Sequence, residues 1–423
     1  MRIKFLILAT ILALSLSPAL AEDEQHPRGS HTILVFLDCQ GMARNHCDFD
    51  HVRREIQWVN WARERRDADI HLLITAERAG GQASRYDLEY IDLRGLDGAS
   101  VSLTFISDPD GTNAENRDAL TRKIALGLIQ FVAESPIADQ LRIEHDTDLE
   151  QATQTSTDDD PWNLWTFRVA ASGSLSGEEL QRGHSVSGFA SANRTTEQFK
   201  LDWFARARTS RSEFDIDDDT IVNTTRNHRS ELLAVWSLSD HWSLGGTTAV
   251  AQRSFDNLDF SLSGGPAIEY NIFPYTESTR KILTFQYSVE IVRNNYELET
   301  VTGEFEETLG RHRLLIATQV KQPWGWIFGD ISAVQYFHDT STHRIDFFMG
   351  SSFRIFRGFS LDLSASFSRI KDQFFLPATE STEQDILLQR RQRETDFRFG
   401  VRLGFSYRFG SKVANIVNPR LRD

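Results

Sequence analysis

The stretch DFRFGVRLGFSYRF, residues 396–409, divides into two faces. Phe397, Phe399, Val401, Leu403, Phe405, Tyr407 and Phe409 fall on one, and Asp396, Arg398, Gly400, Arg402, Gly404, Ser406 and Arg408 on the other. That is the period of an extended strand with one apolar and one charged side. The same division recurs upstream. Leu283, Phe285, Tyr287, Val289 and Ile291 alternate with Thr284, Gln286, Ser288 and Glu290. Phe199, Leu201, Trp203, Ala205 and Ala207 alternate with Lys200, Asp202, Arg206 and Arg208, Phe204 being the exception. One such strand fits a soluble sandwich that buries its apolar face as well as a membrane barrel that turns it to lipid.

The connections between strands separate these readings. About twelve antiparallel strands are expected, near 163–175, 182–193, 198–212, 228–238, 241–255, 259–273, 280–296, 304–320, 325–339, 343–357, 359–371 and 395–409. Near-side connections include SDHW (239–242), PYTEST (274–279), QPWG (322–325) and RG (357–358). Far-side connections include SGEELQRG (176–183), EFDIDDDTIVNTTRN (213–227), YELETVTGE (296–304) and 372–394. Short turns on one side and long polar loops on the other are the asymmetry of an outer-membrane barrel, and a sandwich has no reason to sort its loops so. Trp162, Trp165, Trp236, Trp242, Trp324 and Trp326 lie near strand ends, as an interfacial girdle requires.

Composition agrees. The chain has 423 residues, 40% of them hydrophobic, with 29 Phe. A mean hydropathy of -0.38 and the lack of a second long apolar run exclude a bundle of membrane helices. Lys plus Arg number 46 against 60 Asp plus Glu, a formal charge of -14, which argues against nucleic acid as a partner. At the N-terminus, Arg2 and Lys4 precede the apolar run Phe5 to Leu16, and Ala19-Leu20-Ala21 forms a small-x-small cleavage site. A signal peptide over 1–21 is therefore expected; the alternative is an uncleaved anchor, for which the run is short. Cleavage removes Arg2 and Lys4, leaving 44 basic residues against 60 acidic and a charge of -16.

Residues 22–145 carry mixed periodicities and are expected to form a periplasmic α+β domain in the order βαβββα. TILVFLD (32–38) reads as a buried strand, and a helix capped by Asp48 or Asp50 follows, with Phe49, Val52, Ile56 and Val59 on one stripe. HLLITA (71–76), RYDLEYIDL (85–93) and SVSLTFI (100–106) read as strands, the last with Val101, Leu103 and Phe105 inward. A second helix places Leu120, Ile124, Leu128, Phe131 and Val132 together and ends at Ser135-Pro136. An acidic linker (146–161), an all-β antiparallel transmembrane barrel (162–409) and a periplasmic tail (410–423) complete the expected organisation.

On these patterns the second half of the chain resembles bacterial outer-membrane β-barrels. GVRLGFSYRF (400–409) is similar to the closing-strand signal read by the barrel assembly machinery, although GSKVANIVNPRLRD follows it here. The first half, through VFLDC, CDFDHVRREI and DADIHLLIT, is similar to a domain that precedes barrels in uncharacterised bacterial proteins. Its element order resembles the N-terminal domain of TolB and the periplasmic domain of the curli secretion lipoproteins. The resemblance implies an outer-membrane location, lipid as a partner and assembly by that machinery.

Cys39 and Cys47 in CQGMARNHC are expected to form a disulfide in an oxidising periplasm. Alternatives are a metal site with Asp38, His46, Asp48, Asp50 and His51, or free thiols, but the spacing matches no standard zinc signature. Arg53, Arg54, Arg63, Arg65 and Arg66, with Trp58 and Trp61, decorate an expected helix over 48–66, which offers a face for a periplasmic protein partner or for the barrel mouth. Lumen-facing arginines are expected at Arg168, Arg206, Arg208, Arg313, Arg344, Arg354, Arg398, Arg402 and Arg408, among the acids Asp202, Glu290, Asp346, Asp362 and Asp396. Mixed signs favour a charge-paired interior over an anion-preferring, porin-like channel. No motif calls for a cofactor or a metal ion. A barrel hydrolase would need His241 with Ser243, or His338, Asp339 and His343, to converge, and their spacing gives no support. The expectation is a non-enzymatic barrel serving envelope structure, assembly or narrow-channel transport.

Overall fold

The structure, a computed structural model, describes residues 32–79, 83–94, 100–109, 111–133, 135, 137–141, 161–216, 219–356, 358–378 and 394–416. The expected signal peptide and the acidic linker ahead of Pro161 lie outside the described residues. The first part of the chain forms β1 (Leu34–Cys39), α1 (Phe49–Glu55), β2 (Asn60–Trp61), β3 (Ile70–Arg78), β4 (Ser84–Asp92), β5 (Ser100–Ile106) and α2 (Asn113–Val132). Its sheet runs β2-β1-β3-β4-β5, with β1 parallel to β2 and β3 and the remainder antiparallel.

Local chemistry explains these elements. The first seven residues of β3 are buried, as the mostly apolar run over 70–76 requires of a central strand. Asp48 caps α1 by accepting from the Asp50 and His51 backbone N–H groups, and Thr112 with Glu115 forms a capping box on α2. Leu120, Ile124, Leu128 and Val132 on α2 pack over Tyr86, Leu88 and Tyr90 of β4. Gly127 makes room for that contact, since a Cβ there would lie 2.2 Å from Tyr90 Cζ. In β5, Val101, Leu103 and Phe105 turn inward as expected.

The expected helix over 48–66 is corrected. It ends at Glu55, and Ile56 leaves helical geometry at φ -110° and ψ 81°. Val59 keeps its buried place beyond the helix, while Phe49 is exposed. Asn60 and Trp61 form a strand beside β1, so the order gains a strand over βαβββα. Trp61 is buried rather than a surface decoration, with its indole N–H donating to Ile56 O at 3.1 Å.

The second sheet contains β6 (Trp165–Gly177), β7 (Gln181–Thr195), β8 (Phe199–Ile216), β9 (Asp219–Ser237), β10 (Trp242–Arg253), β11 (Leu258–Asn271), β12 (Lys281–Tyr296), β13 (Glu306–Gln322), β14 (Gly325–Tyr336), β15 (His343–Phe356), β16 (Phe359–Ile370) and β17 (Phe397–Tyr407). Every strand pairs antiparallel with its sequence neighbour, which makes a twelve-stranded meander of the barrel type. No ladder joins β6 to β17 among the described residues, so the expected closure is not formed there. All twelve strands stand where the alternation put them. The one marked difference is 213–227, expected as a loop, where β8 and β9 run on as a hairpin to the pair Ile216 and Asp219.

Burial in this sheet is inverted. In β12, Phe285, Tyr287, Val289 and Ile291 are exposed, while Thr284, Ser288, Glu290 and Asn294 are buried. Leu244, Val250, Leu262 and Ile268 of β10 and β11 are likewise exposed, opposite a face of Gly245, Thr247, Ala249, Gly265 and Ala267. Polar groups line the inside and apolar groups the outside.

Candidate functional site

The N-terminal domain rests on the near-side turns of the large sheet, and the buried chemistry of the molecule gathers at that junction. Asp38 lies next to the end of β1 and His71 next to the start of β3, two adjacent parallel strands. The His71 ring is 0% exposed. Its Nδ1 accepts from Arg65 Nε at 3.0 Å, and because Arg65 can only donate, the ring hydrogen sits on Nε2 and is donated to Asp38 Oδ2 at 3.1 Å. Arg354, from the near end of β15, grips the same carboxylate with two contacts of 2.6 Å. A bidentate, charge-assisted pair of this kind is the strong form of the interaction. Burial alone would raise the Asp38 pKa, but hydrogen bonds from Arg354 and His71 overcome it and hold the carboxyl well below its usual range. Burial lowers the His71 pKa, which Asp38 only partly offsets.

Flanking contacts bind three further turns. Lys321 Nζ donates to Ala76 O at 3.1 Å, Gln40 Nε2 donates to Gln322 O at 3.0 Å, and Arg280 meets Glu89 at 2.7 Å. Thr279 Oγ1 donates to Asp87 at 2.7 Å, and the Gly358 backbone N–H to Glu64 at 3.2 Å. Cys39 and Cys47 form the expected disulfide and close the loop that carries Gln40 and Gly41. Gly41 has φ +61°, and a Cβ there would lie 3.2 Å from Lys321 Cε. The positive φ favours glycine at this position, and a Cβ would in addition crowd the flexible end of Lys321.

The tail adds a last contact. Val413 bridges Ala62, the Arg63 backbone N–H donates to Lys412 O at 2.9 Å, and the Ala414 N–H donates to Trp61 O at 2.9 Å. These bonds cover the outer edge of β2. The arginine-rich segment 63–66 therefore meets the sheet turns and the tail of its own chain, in line with the barrel-mouth alternative, but as a segment beyond the helix rather than as a helical face.

The register places the expected lumen charges on one polar face, and the side chains show how they are used. Glu290 pairs with Arg311 at 2.6 Å, Arg344 with Asp346 at 2.7 Å, and Ser368 donates to Asp346 at 2.7 Å. Arg313 donates to Ser332 Oγ at 2.9 Å, and Asp396 beside β17 pairs with Lys371. Arg168 and Arg206 stack on Phe189, Arg208 Nε meets Ser210 Oγ at 3.4 Å, and Asp202 faces Asn193 across the ladder. Arg398 and Arg402 sit exposed on β17, and Asp362 and Arg408 line the junction cleft. At the far end, residues 372–378 fold over the 297–301 turn, with Val301 N–H donating to Leu376 O at 2.8 Å and Ala378 N–H to Glu299 O at 2.9 Å. A cavity of about 240 Å³ lies beneath, walled by Arg311, Arg344, Asp372 and Phe374.

Trp162, Trp236, Trp242 and Trp324 are exposed near the strand ends. Trp326 shares the inward face of its partners Lys321 and Ser352, so it is no part of a girdle. The hydrolase groups do not converge. His241 Nδ1 bonds Asn271 O at 2.8 Å, Ser243 donates to Tyr275 at 3.1 Å, and Asp339 accepts from Ser341 and Thr342. The alternative metal ligands are also dispersed: Asp38 holds Arg354, His46 meets Tyr86 at 2.6 Å, Asp48 caps α1, and His51 pairs with Asp118 at 2.9 Å.

No family model and no curated protein matches the chain. Among solved structures, CdiB from Acinetobacter baumannii is similar at 9% identity and a TM-score of 0.26, over 70% of this chain and 56% of that one. The chain thus spans little more than half of CdiB. The translocator domain of autotransporter NalP from Neisseria meningitidis is similar at 11% identity and a TM-score of 0.22, over 68% and 98%. The strands themselves, rather than these loose likenesses, carry the fold.

Sequence reasoning missed His71, Gln40, Lys321 and Arg311. A usable signal existed for His71, a titratable residue opening an otherwise apolar run, and for Arg311, on the polar face of its strand. Lys321 and Gln40 carry no such mark.

Proposed function

We propose that this chain is an outer-membrane β-barrel protein whose own N-terminal domain seats on the periplasmic mouth, a non-enzymatic element of the envelope with a narrow, charge-paired interior. The observation that carries this reading is the inverted burial, since an exposed face of Phe285, Tyr287, Val289 and Ile291 over a buried face of Ser288, Glu290 and Asn294 is stable only where the outside solvent is lipid. No helix among the described residues is long and apolar enough to span a bilayer, so crossing falls to the strands. A bilayer tolerates no open sheet edge, and the reading therefore has β6 and β17 pair with each other in the membrane. Export by the signal peptide and assembly by the barrel machinery belong to the same proposal. So does narrow-channel transport, with the domain covering the mouth.

Cell fractionation with gel mobility tests the proposal. Recovery in the outer-membrane fraction, with a band that shifts on boiling, is expected. Recovery as a soluble protein without detergent would overturn it.

A further inference from the structure

Between the N-terminal domain and the ends of β14 to β17 lie two adjoining cavities of about 540 Å³ and about 720 Å³. They share the walls Phe36, Arg44, Arg63, Arg354 and Arg408. Arg65 and Arg66 line the first and Arg53 the second, so seven guanidinium groups meet three carboxylates, Asp38, Glu64 and Asp362, in a chain of formal charge -14. Asp38 is already saturated by Arg354 and His71. Among the described residues, Arg44, Arg63, Arg65, Arg66 and Arg408 have no ion-pair partner. Arg44, Arg63 and Arg65 each give one N–H to a neutral acceptor: Cys39 O, Val413 O and His71 Nδ1.

Two further observations point to a missing occupant. Gln40 lines the first cavity at 1% exposure, and its Oε1 has no hydrogen-bond partner. Arg53 Nε in the second cavity is likewise buried and unpartnered. Unsatisfied buried polar atoms are rare and call for an explanation. The rim supplies a third feature. Ile355, Phe356 and Tyr407 border the first cavity and are 53%, 51% and 56% exposed, so the charged floor opens onto an apolar edge.

We infer that this cleft binds a phosphate group, presented by an anionic phospholipid whose headgroup also carries a hydroxyl donor. Guanidinium forks match phosphate oxygens, Gln40 Oε1 accepts from the headgroup hydroxyl, and the acyl chains leave along Phe356 and Tyr407. Mutual repulsion supports the assignment. Arg65 has its pKa lowered by burial and then by Arg354 and Arg66, and Arg53 by burial and by Arg63. An anion relieves both. The lipid as source rests on the membrane reading above; the phosphate site does not.

The test uses the full chain in a neutral detergent, titrated separately with phosphatidylglycerol, phosphatidylcholine and inorganic phosphate. Native mass spectrometry reads the lipids and thermal shift reads the phosphate. One phosphatidylglycerol per chain is expected, at least about tenfold tighter than phosphatidylcholine and weakened by added salt. Arg66→Gln with Arg408→Gln removes no side-chain hydrogen bond among the described residues and should weaken phosphatidylglycerol about tenfold or more. Unchanged heat-modifiable mobility shows that the variant folds; if it does not fold, Arg66→Gln alone is measured and should weaken binding severalfold. Stabilisation by inorganic phosphate without lipid preference would overturn the lipid source and keep the anion site. Equal binding of both lipids with no phosphate effect, or unaltered binding by the variants, would overturn the inference. Fractionation decides the membrane reading independently.

Discussion

Arg354 is about three quarters of the chain away in sequence from Asp38, at a separation of 316 residues in 423, yet its guanidinium makes that carboxylate tolerable in a buried site. Removing one partner of a buried pair leaves the other charge without compensation, which typically costs about 3–5 kcal/mol, and the partial exposure of Arg354 at 33% favours the lower end. Arg354→Ala should therefore release the domain from the turns, read as faster proteolysis of residues 32–141 with the heat-modifiable band retained. His71 adds a pH dependence. Its folded pKa lies below 6.5, so on acidification the unfolded chain takes up a proton that the folded chain refuses. Stability is thus full above about pH 6.5 and declines below it, by at most about 1.4 kcal/mol per pH unit. Asp38, with its own depressed pKa, extends the loss below about pH 4. Denaturant unfolding followed by circular dichroism from pH 7.5 to 5 checks the first window. A flat profile there would contradict the neutral His71 assigned from the hydrogen bonds.

At the scale of elements, the strands were legible because their signal is local. Alternation in β17 needs no knowledge of β16, and an exposed apolar face repeats it without interruption. Helix α1 reads too long from sequence for the opposite reason. Val52, Ile56 and Val59 keep a helical spacing, but pairing of Asn60 and Trp61 with β1 wins over it, and that partner is remote in sequence. The hairpin at 213–227 reads as a loop because the acidic run Asp215 to Asp219 interrupts the alternation of Phe214, Ile216 and Ile221. Leu403→Arg puts a cation on the outward face of β17 and should cost roughly 2–4 kcal/mol, whereas Ser406→Asn should be nearly silent. Refolding yields in lipid vesicles against urea compare the two. The Cys39–Cys47 bridge stiffens the loop that meets Lys321 and Gln322, and Cys39→Ser with Cys47→Ser should cost the domain about 2–3 kcal/mol. Thiol labelling of unreduced, denatured protein should find none free.

For the whole molecule, in the function proposed, the junction sets what the barrel can pass. Contacts from Glu89, Asp87, Ala76, Gln40, Asp38 and Glu64 hold the domain over the near-side turns, and the Glu290–Arg311 pair and the Ser368–Asp346 hydrogen bond tie neighbouring strands in the interior beyond it. The intact chain in a planar bilayer should show small, infrequent openings, and Arg354→Ala combined with Arg280→Ala should lengthen them severalfold. Equal conductance in both proteins would show that the domain does not obstruct the pore. None of these partnerships could be read from sequence, because Asp38 and His71 look like the ends of two apolar runs until the turns at 321–325 and 354–358 are brought against them.

The bridge between Ala62 and Val413 gives the chain a clock. The N-terminal domain precedes the large sheet in the chain and must wait with one margin of its own sheet unsealed, since the residues that cover β2 follow β17. Only when β17 is in place can Lys412 to Ala414 reach that margin. The molecule thereby couples its two sheets in time: until the large sheet is complete the margin of β2 is bare, and once it is complete the margin is covered.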